Sequence, residues 1–181
     1  MEKTLKKGLK KSDLKGFIRD IPNFPKDGII FKDISTLLLD KGAFKKAIDL
    51  LAKNFKKAKI DKVVAVEARG FIFGSAIAYK IGAGFVPVRK KGKLPYRTKS
   101  ITYQLEYGTD TLEMHEDAIK PKERVLVVDD LLATGGTVSA VCDLVKQQNA
   151  VIEGIVFLIE LKFLKGKSRL QSYPIYSIIK Y

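Results

Sequence analysis

The feature that most constrains the fold is one continuous stretch, residues 124–138. Its first part, residues 124–128, is a β-branched apolar run of the kind found in strands buried on both faces of a parallel sheet. Asp129 and Asp130 follow at the end of this strand, where open α/β sheets bind their ligands. A loop of small residues then leads into residues 138–145, whose apolar side chains recur at helical spacing. The stretch predicts a strand, an acidic pair, a loop and a helix.

The loop in this unit has the composition of a phosphate-binding site. Gly135 and Gly136 can adopt backbone angles closed to other residues and let a ligand approach the main chain. The amides of residues 134–137, at the positive end of the following helix, would bind a phosphate, and two threonine hydroxyls add donors. The neighbouring acids could accept hydrogen bonds from sugar hydroxyls or hold a hydrated magnesium ion. A βα turn with solvated acids is the alternative, but the buried strand and the paired acids favour a phosphate site.

Residues 127–137 read Val-Val-Asp-Asp-Leu-Leu-Ala-Thr-Gly-Gly-Thr. This segment resembles the phosphoribosyl-pyrophosphate-binding motif of the type I phosphoribosyltransferases. Its sequence is similar to the form of the motif found in the adenine phosphoribosyltransferases. The resemblance implies that Asp129 and Asp130 bind the ribose hydroxyls, directly or through the water of a magnesium ion. It also implies that the 5-phosphate is bound by the loop residues Ala133, Thr134, Gly135, Gly136 and Thr137.

A second segment with the same resemblance lies near the N-terminus. Taken alone, its two prolines and its glycine predict a loop with one brief apolar strand. Residues 20–34 are similar to the hood segment of the adenine phosphoribosyltransferases, which we place at about residues 17–36. The resemblance implies that the adenine edge is read by the backbone near Ile30 and Lys32, with Phe31 packed close to the base. The family often has arginine where this chain has Lys32. Lysine keeps the positive charge but lacks the planar guanidinium group that can donate two parallel hydrogen bonds.

Residues 61–78 repeat the arrangement of strand, polar turn, glycine and helix. Arg69, at the end of the strand, could grip phosphate oxygens in bidentate fashion, whereas a surface salt bridge with Glu67 is the alternative. The segment Glu67–Phe71 resembles the family's pyrophosphate loop, which supports the phosphate contact. Members of the family have a non-proline cis peptide in this loop, and the sequence leaves open whether Glu67–Ala68 adopts it.

A basic run, Arg89–Lys99, contains no acid and follows a short apolar strand. An anionic, polyphosphate substrate would explain this local excess of positive charge. The beginning of the run is similar to the family pattern. The resemblance implies that Arg89 and Lys93 bind the pyrophosphate together with Arg69.

Residues 96–117 are polar and β-prone, and they predict either an exposed hairpin or a flexible two-stranded flap that excludes water from a reactive site. Within them, Leu105–Gly108 matches the family's flap motif. The resemblance implies that Glu106 is the acid that assists protonation of the base. His115 is the only histidine and has no cysteine nearby, which argues against a transition-metal site.

The whole chain, 181 residues with 46% hydrophobic content, suits one domain over residues 1–181. It has no apolar run long enough to span a bilayer and no signal-peptide core, and its one cysteine, Cys142, excludes an internal disulfide. These features predict a cytoplasmic protein that does not bind membranes. Much of the net charge of +14 comes from eight lysines in residues 41–62, a probable amphipathic helix. Solvated lysines on an outer helix are favoured over nucleic-acid binding.

The predicted fold class is therefore α/β, with a type I phosphoribosyltransferase-like central parallel sheet flanked by helices, a small N-terminal hood and a flexible flap. The resemblance implies a glycosyltransferase of purine salvage and AMP biosynthesis, in which adenine and phosphoribosyl pyrophosphate give AMP and pyrophosphate. It also implies a homodimer and a Mg²⁺ cofactor held mainly by substrate and water, with no direct protein ligand. Two alternatives stay open: a non-catalytic regulator that senses phosphoribosyl pyrophosphate and binds nucleic acid, and a phosphoribosyltransferase for another base.

Overall fold

The computed structural model describes residues 9–104 and 108–181. The chain divides into two compact units, Met1–Leu50 and Leu51–Tyr181. Among the described residues, no helix combines the length and the apolar character that crossing a bilayer requires.

The first unit contains a small antiparallel sheet. A 3-10 helix, Lys11–Phe17, precedes strands β1 (Arg19–Pro22) and β2 (Ile30–Asp33), and helices α1 (Ser35–Leu39) and α2 (Lys41–Ala52) follow. The two strands pair in register from Arg19 opposite Asp33 to Pro22 opposite Ile30. The expectation of a loop with a single strand was therefore wrong, because β1 is a second strand. The tight connection holds the pair together, since Asn23 accepts a hydrogen bond from the Gly28 amide.

The second unit is built on a seven-stranded sheet with the order β5-β6-β4-β3-β7-β8-β9. Within this order, the run β4-β3-β7-β8-β9 consists of parallel neighbours. Strand β6 pairs antiparallel with both β4 and β5. The seven strands are β3 (Lys62–Val66), β4 (Gly84–Lys90), β5 (Thr98–Gln104), β6 (Thr109–His115), β7 (Arg124–Leu132), β8 (Val151–Glu160) and β9 (Ile175–Lys180).

Helices cover both faces of this sheet. Helix α3 (Arg69–Ile81) approaches β3 so closely that a Cβ atom on Gly74 would lie 2.5 Å from the Cβ of Ala65. Val64 points to the opposite face and shares a buried core with Leu144 of α4 (Gly136–Lys146). The predicted α/β class, with a mainly parallel sheet flanked by helices, is confirmed.

This strand order brings the predicted site segments to one edge of the sheet. Strand β3 lies between β4 and β7, so the residues that follow β3 lie beside Arg89 on one side and the acids of β7 on the other. Because parallel strands end at the same edge, three chemically distinct loops converge there. The acids themselves belong to β7, which extends to Leu132, rather than following it.

The predicted flap corresponds to the hairpin of β5 and β6. Strand β6 joins the main sheet through Arg89 opposite Glu113 and Lys90 opposite Leu112, and part of it is buried. Residues 105–107, which include Glu106, lie outside the described residues. The flexibility of the flap stays a prediction.

Candidate active site

The loop predicted to bind the 5-phosphate, called the 5-phosphate loop below, lies between β7 and α4, as the sequence pattern predicts. Residues 131–138 and Asp129 line a cavity of about 80 Å³. Such a volume holds several water molecules or one tetrahedral anion. Helix α4 begins at Gly136, and the first amides of a helix have no partner within it. The loop therefore presents backbone donors and the threonine hydroxyls to a small anionic group.

The shape of this loop depends on two glycines from distant parts of the chain. Gly135 has a φ of +83°, which side chains disfavour, and a Cβ on it would lie 2.6 Å from the carbonyl oxygen of Gly166. In turn, a Cβ on Gly166 would lie 2.2 Å from the carbonyl oxygen of Ala133. The two main chains thus pack directly on each other, and this contact leaves no room for a side chain at either position.

The two acids of β7 lie against the start of α3. The Oδ1 atom of Asp129 accepts a hydrogen bond of 2.9 Å from the Asp130 amide and abuts Gly70. The Oδ2 atom of Asp130 lies 2.9 Å from Nε of Arg69 as an ion pair. Asp130 is 5% exposed, and this oxygen accepts no hydrogen bond within the described part of the chain. Arg69 is therefore directed toward an acid that still has acceptor capacity for a ligand.

The ionised form of both acids is disfavoured in this structure, as the raised pKa values of the pair indicate. Burial raises the pKa of Asp129 well above its usual value, and the charge of Asp130 adds to the rise. Burial also raises the pKa of Asp130, although the Arg69 guanidinium opposes this. A half-buried carboxylate beside a buried one favours any ligand that brings positive charge or hydroxyl donors.

Two of the three basic residues predicted for pyrophosphate, Arg89 and Lys93, lie around Glu67, whereas Arg69 pairs with Asp130. Nε of Arg89 donates a hydrogen bond of 2.6 Å to one Glu67 oxygen, and Nζ of Lys93 lies 3.8 Å from the other. Nη1 of Arg89 also donates to the Lys93 carbonyl. Burial favours the neutral acid, but the hydrogen bonds from Arg89 and the Lys90 amide, together with the charges of Arg89 and Lys93, outweigh it and lower the pKa of Glu67. The Glu67–Ala68 peptide, which the sequence left open, is cis.

The predicted base-binding residues lie on β2 of the first unit. Ile30 is 55% exposed, and the Phe31 ring packs edge-to-face with Phe24 at 5.2 Å between centroids. Lys32 is 9% exposed, and its Nζ lies 2.7 Å from an Asp20 oxygen. Among the described residues, β2 belongs to a two-stranded sheet and pairs along one edge, with β1. Its outer edge presents backbone donors and acceptors in alternation.

Comparison with known proteins gives a consistent result. The family model of the phosphoribosyl transferase domain matches residues 35–178. The adenine phosphoribosyltransferase of Solidesulfovibrio magneticus is 61% identical over 168 residues, which are 93% of this chain and 98% of that one. The chain belongs to the adenine phosphoribosyltransferase family.

Solved structures agree with this assignment. A crystal structure of adenine phosphoribosyltransferase from Thermoanaerobacter pseudethanolicus is 52% identical, with a TM-score of 0.92 over 95% of this chain and 100% of that one. The enzyme from Saccharomyces cerevisiae, complexed with an imino-altritol bisphosphate and adenine, is 42% identical, with a TM-score of 0.88 over 93% of this chain and 97% of that one.

Two structural features of the site were missed by sequence reasoning. Glu67 holds Arg89 and Lys93 together, and its position between basic segments was the only sequence signal for such a role. Gly166 supports the loop at residues 133–137, but nothing in the sequence around Gly166 indicates this contact. No local pattern could reveal this contact, because it joins residues far apart in the chain.

Proposed function

We propose that this protein transfers the 5-phosphoribosyl group from phosphoribosyl pyrophosphate to adenine, giving AMP and pyrophosphate in purine salvage. One observation carries the proposal: a phosphate-sized loop, a partly buried acidic pair and a cluster of cations meet at one edge of the sheet. A substrate with phosphates at two ends and ribose hydroxyls between them matches this order of groups.

Each group has a proposed part in the transfer. Residues 133–137 anchor the 5-phosphate, and Arg69, Arg89 and Lys93 bind the pyrophosphate. Asp129 and Asp130 bind the ribose hydroxyls and oppose the positive charge that develops on C1 as pyrophosphate leaves. Preorganised contacts of this kind are worth about 3–4 kcal/mol each in a transition state.

The acidic pair also fits a hydrated magnesium ion. Asp130 has an oxygen with unused acceptor capacity, and the raised pKa values of both acids show that a nearby cation would be favourable. Within residues 9–104 and 108–181, no cluster of three or more acidic, cysteine or histidine side chains could hold a metal directly. We propose that Asp129 and Asp130 bind water of the ion, which, when bound with the substrate, would neutralise charge on the leaving pyrophosphate.

For adenine, we assign recognition to Ile30, Phe31 and Lys32. The exposed edge of β2 supplies the alternating backbone donors and acceptors that an adenine edge requires. Phe31 supplies an aromatic surface for the base. Glu106, outside the described residues, is the proposed acid for the base nitrogen.

The remaining assignments follow from the family. We propose a homodimer, a single functional domain over residues 1–181, a flap at residues 96–117 that closes over the substrate, and a cytoplasmic location. Light scattering of the purified protein tests the dimer, since a mass near that of one 20.2 kDa chain would contradict it.

The decisive experiment incubates the protein with Mg²⁺, phosphoribosyl pyrophosphate and, separately, adenine, hypoxanthine, guanine or orotate. Chromatography of the products should show AMP from adenine as the preferred reaction. Preference for hypoxanthine or orotate would refute the base assignment. If no base gave a nucleotide, the transferase proposal would fail, and binding of phosphoribosyl pyrophosphate together with DNA would then favour a regulator.

A further inference from the structure

A tyrosine outside the 5-phosphate loop contacts one of the loop's hydroxyls. The hydroxyl oxygen of Tyr103, on β5, lies 3.3 Å from Oγ1 of Thr137, in the first turn of α4. This is longer than the roughly 2.7–2.8 Å typical of two hydroxyl groups, so the bond has room to shorten. The Tyr103 ring also packs against the buried core, and one of its edge carbons is 3.9 Å from the Cβ position of Gly136. The tyrosine is therefore fixed beside the loop by its ring as well as by its hydroxyl.

The chemistry of phosphate sets the direction of this hydrogen bond. Either hydroxyl could donate in the free protein. A phosphate dianion has only acceptor oxygens, and a threonine hydroxyl has a single proton. When Thr137 gives that proton to the phosphate, its oxygen can only accept from Tyr103. A donated hydrogen bond polarises the threonine O–H and makes it a better donor in turn.

We propose that Tyr103 is a positioning residue for the 5-phosphate: it donates to Thr137 and so directs the threonine proton toward the bound phosphate. This inference rests on the proposed function of the loop as the 5-phosphate site. It assigns to the flap hairpin a part in phosphate binding that does not depend on Glu106. The reverse direction, with Thr137 donating to Tyr103, would turn oxygen lone pairs toward the anion and repel it.

The substitution Tyr103→Phe tests the proposal, because it removes the hydroxyl and keeps the ring in the core. Loss of one such hydrogen bond corresponds to a change of about three- to tenfold. We expect the KM for phosphoribosyl pyrophosphate to rise by this factor, with kcat and the KM for adenine unchanged. In the reverse reaction the KM for AMP, which carries the 5-phosphate, should rise equally, whereas that for pyrophosphate should not.

The matched control is Thr102→Val. It removes a hydroxyl from the same strand, where Oγ1 of Thr102 lies 2.9 Å from that of Thr111, and leaves Thr137 untouched. All four KM values should stay within twofold of wild type. A rise of the same size for Thr102→Val, or a rise for pyrophosphate with Tyr103→Phe, would show general damage to the hairpin and overturn the proposal.

A double-mutant cycle gives the sharpest readout. In a Thr137→Ala background, Tyr103→Phe should change the KM for AMP by less than about twofold, because its acceptor is gone. In a Thr137→Ser background the full effect should return, because serine restores the hydroxyl. An equal effect of Tyr103→Phe in the alanine background would overturn the proposal.

Calorimetric titration with ribose 5-phosphate separates this inference from the proposed reaction. If wild type makes no AMP but binds ribose 5-phosphate, and Tyr103→Phe weakens that binding three- to tenfold, the inference holds and the transferase proposal fails. If AMP is formed and the affinity for ribose 5-phosphate is unchanged by Tyr103→Phe, the inference fails alone. If wild type neither forms AMP nor binds ribose 5-phosphate, both fail; if it forms AMP without measurable ribose 5-phosphate binding, the transferase proposal holds and the KM values above decide the inference.

Discussion

Replacing Gly166 with alanine would place a methyl group against the main chain of the 5-phosphate loop. The new Cβ would lie 2.2 Å from the Ala133 carbonyl oxygen and 2.9 Å from Cδ1 of Leu132. Ordinary contact begins at 3.4 Å, so the two segments would have to separate by about 1 Å. A carbonyl oxygen cannot rotate aside as a flexible side chain can, and the loop itself must move.

This displacement should affect both binding and stability. A misplacement of about 1 Å in a positioned site can reduce activity by roughly 100-fold. Overpacking at a buried contact costs about 1–3 kcal/mol, and each kcal/mol lowers the Tm of a chain of this size by roughly 2–4 °C. We therefore expect a KM for AMP at least about tenfold higher, a moderate loss of Tm, and a smaller change in the KM for pyrophosphate.

Steady-state kinetics in both directions and thermal unfolding measure these effects. Gly16→Ala is the control, because within the described part of the chain its Cβ position has no contact within 4 Å apart from the adjoining residues. A Gly166→Ala protein whose KM for AMP and Tm both match those of Gly16→Ala would refute the argument that this contact shapes the loop.

Three further substitutions test the charges of the structure. Asp130→Asn should lower kcat by about 100- to 1,000-fold with a normal circular dichroism spectrum, and near-normal turnover would contradict its assigned role. Asp129→Asn should also reduce turnover, but it should raise the Tm, and the rise should be larger at pH 8 than at pH 5. The reason is that a carboxyl whose pKa is raised by folding destabilises the folded state once it ionises. An unchanged or lower Tm at pH 8 would refute this. Hydrogen bonds from Ser35 and the Arg19 pair lower the pKa of Asp33 from 3.8 to about 2. The stability that Asp33 contributes is thus complete above about pH 4 and lost as the pH falls toward 2, so Asp33→Asn should destabilise at pH 7 and have no effect near pH 2; equal effects at both would contradict it.

The central unit was predictable from sequence because its signals are local. The β-branched run of residues 124–128, the acidic pair and the small-residue loop each have a direct physical meaning at that position. The contact of Gly135 with Gly166 was not predictable, since it depends on how β7 and the segment after β8 pack together. Backbone contacts between distant segments leave no periodic pattern in the chain.

The end of helix α2 and the existence of strand β1 show the same limit of prediction from sequence. The apolar spacing through Phe55 predicts a helix beyond residue 52, but α2 ends at Ala52. Phe55 is still buried, because it packs from a turn against the Tyr176 ring. Strand β1 is polar and exposed at three of its four residues, and it forms because β2 pairs with it and an ion pair joins Arg19 to Asp33. Pairing of this kind outweighs local propensity.

In the cluster around Glu67, two cations that we propose bind pyrophosphate lie close to one carboxylate. Arg89 and Lys93 would repel each other, and the buried carboxylate between them offsets that repulsion. Glu67 also accepts a hydrogen bond of 3.1 Å from the Lys90 amide, which ties the cluster to the end of β4. The carboxylate thus holds the cations in place for a ligand that carries the same sign of charge as itself.

Glu67→Gln distinguishes this positioning role from simple competition between Glu67 and the ligand. Glutamine can still accept the Lys90 hydrogen bond but cannot balance two cations, so Arg89 and Lys93 should move apart. We expect the KM for pyrophosphate to rise by about tenfold, with the KM for adenine unchanged. Glu116→Gln removes the same charge from an exposed pair with Arg97 and should change neither value. Tighter pyrophosphate binding by Glu67→Gln would mean that the carboxylate competes with the ligand, because removing it would then free the cations rather than disperse them.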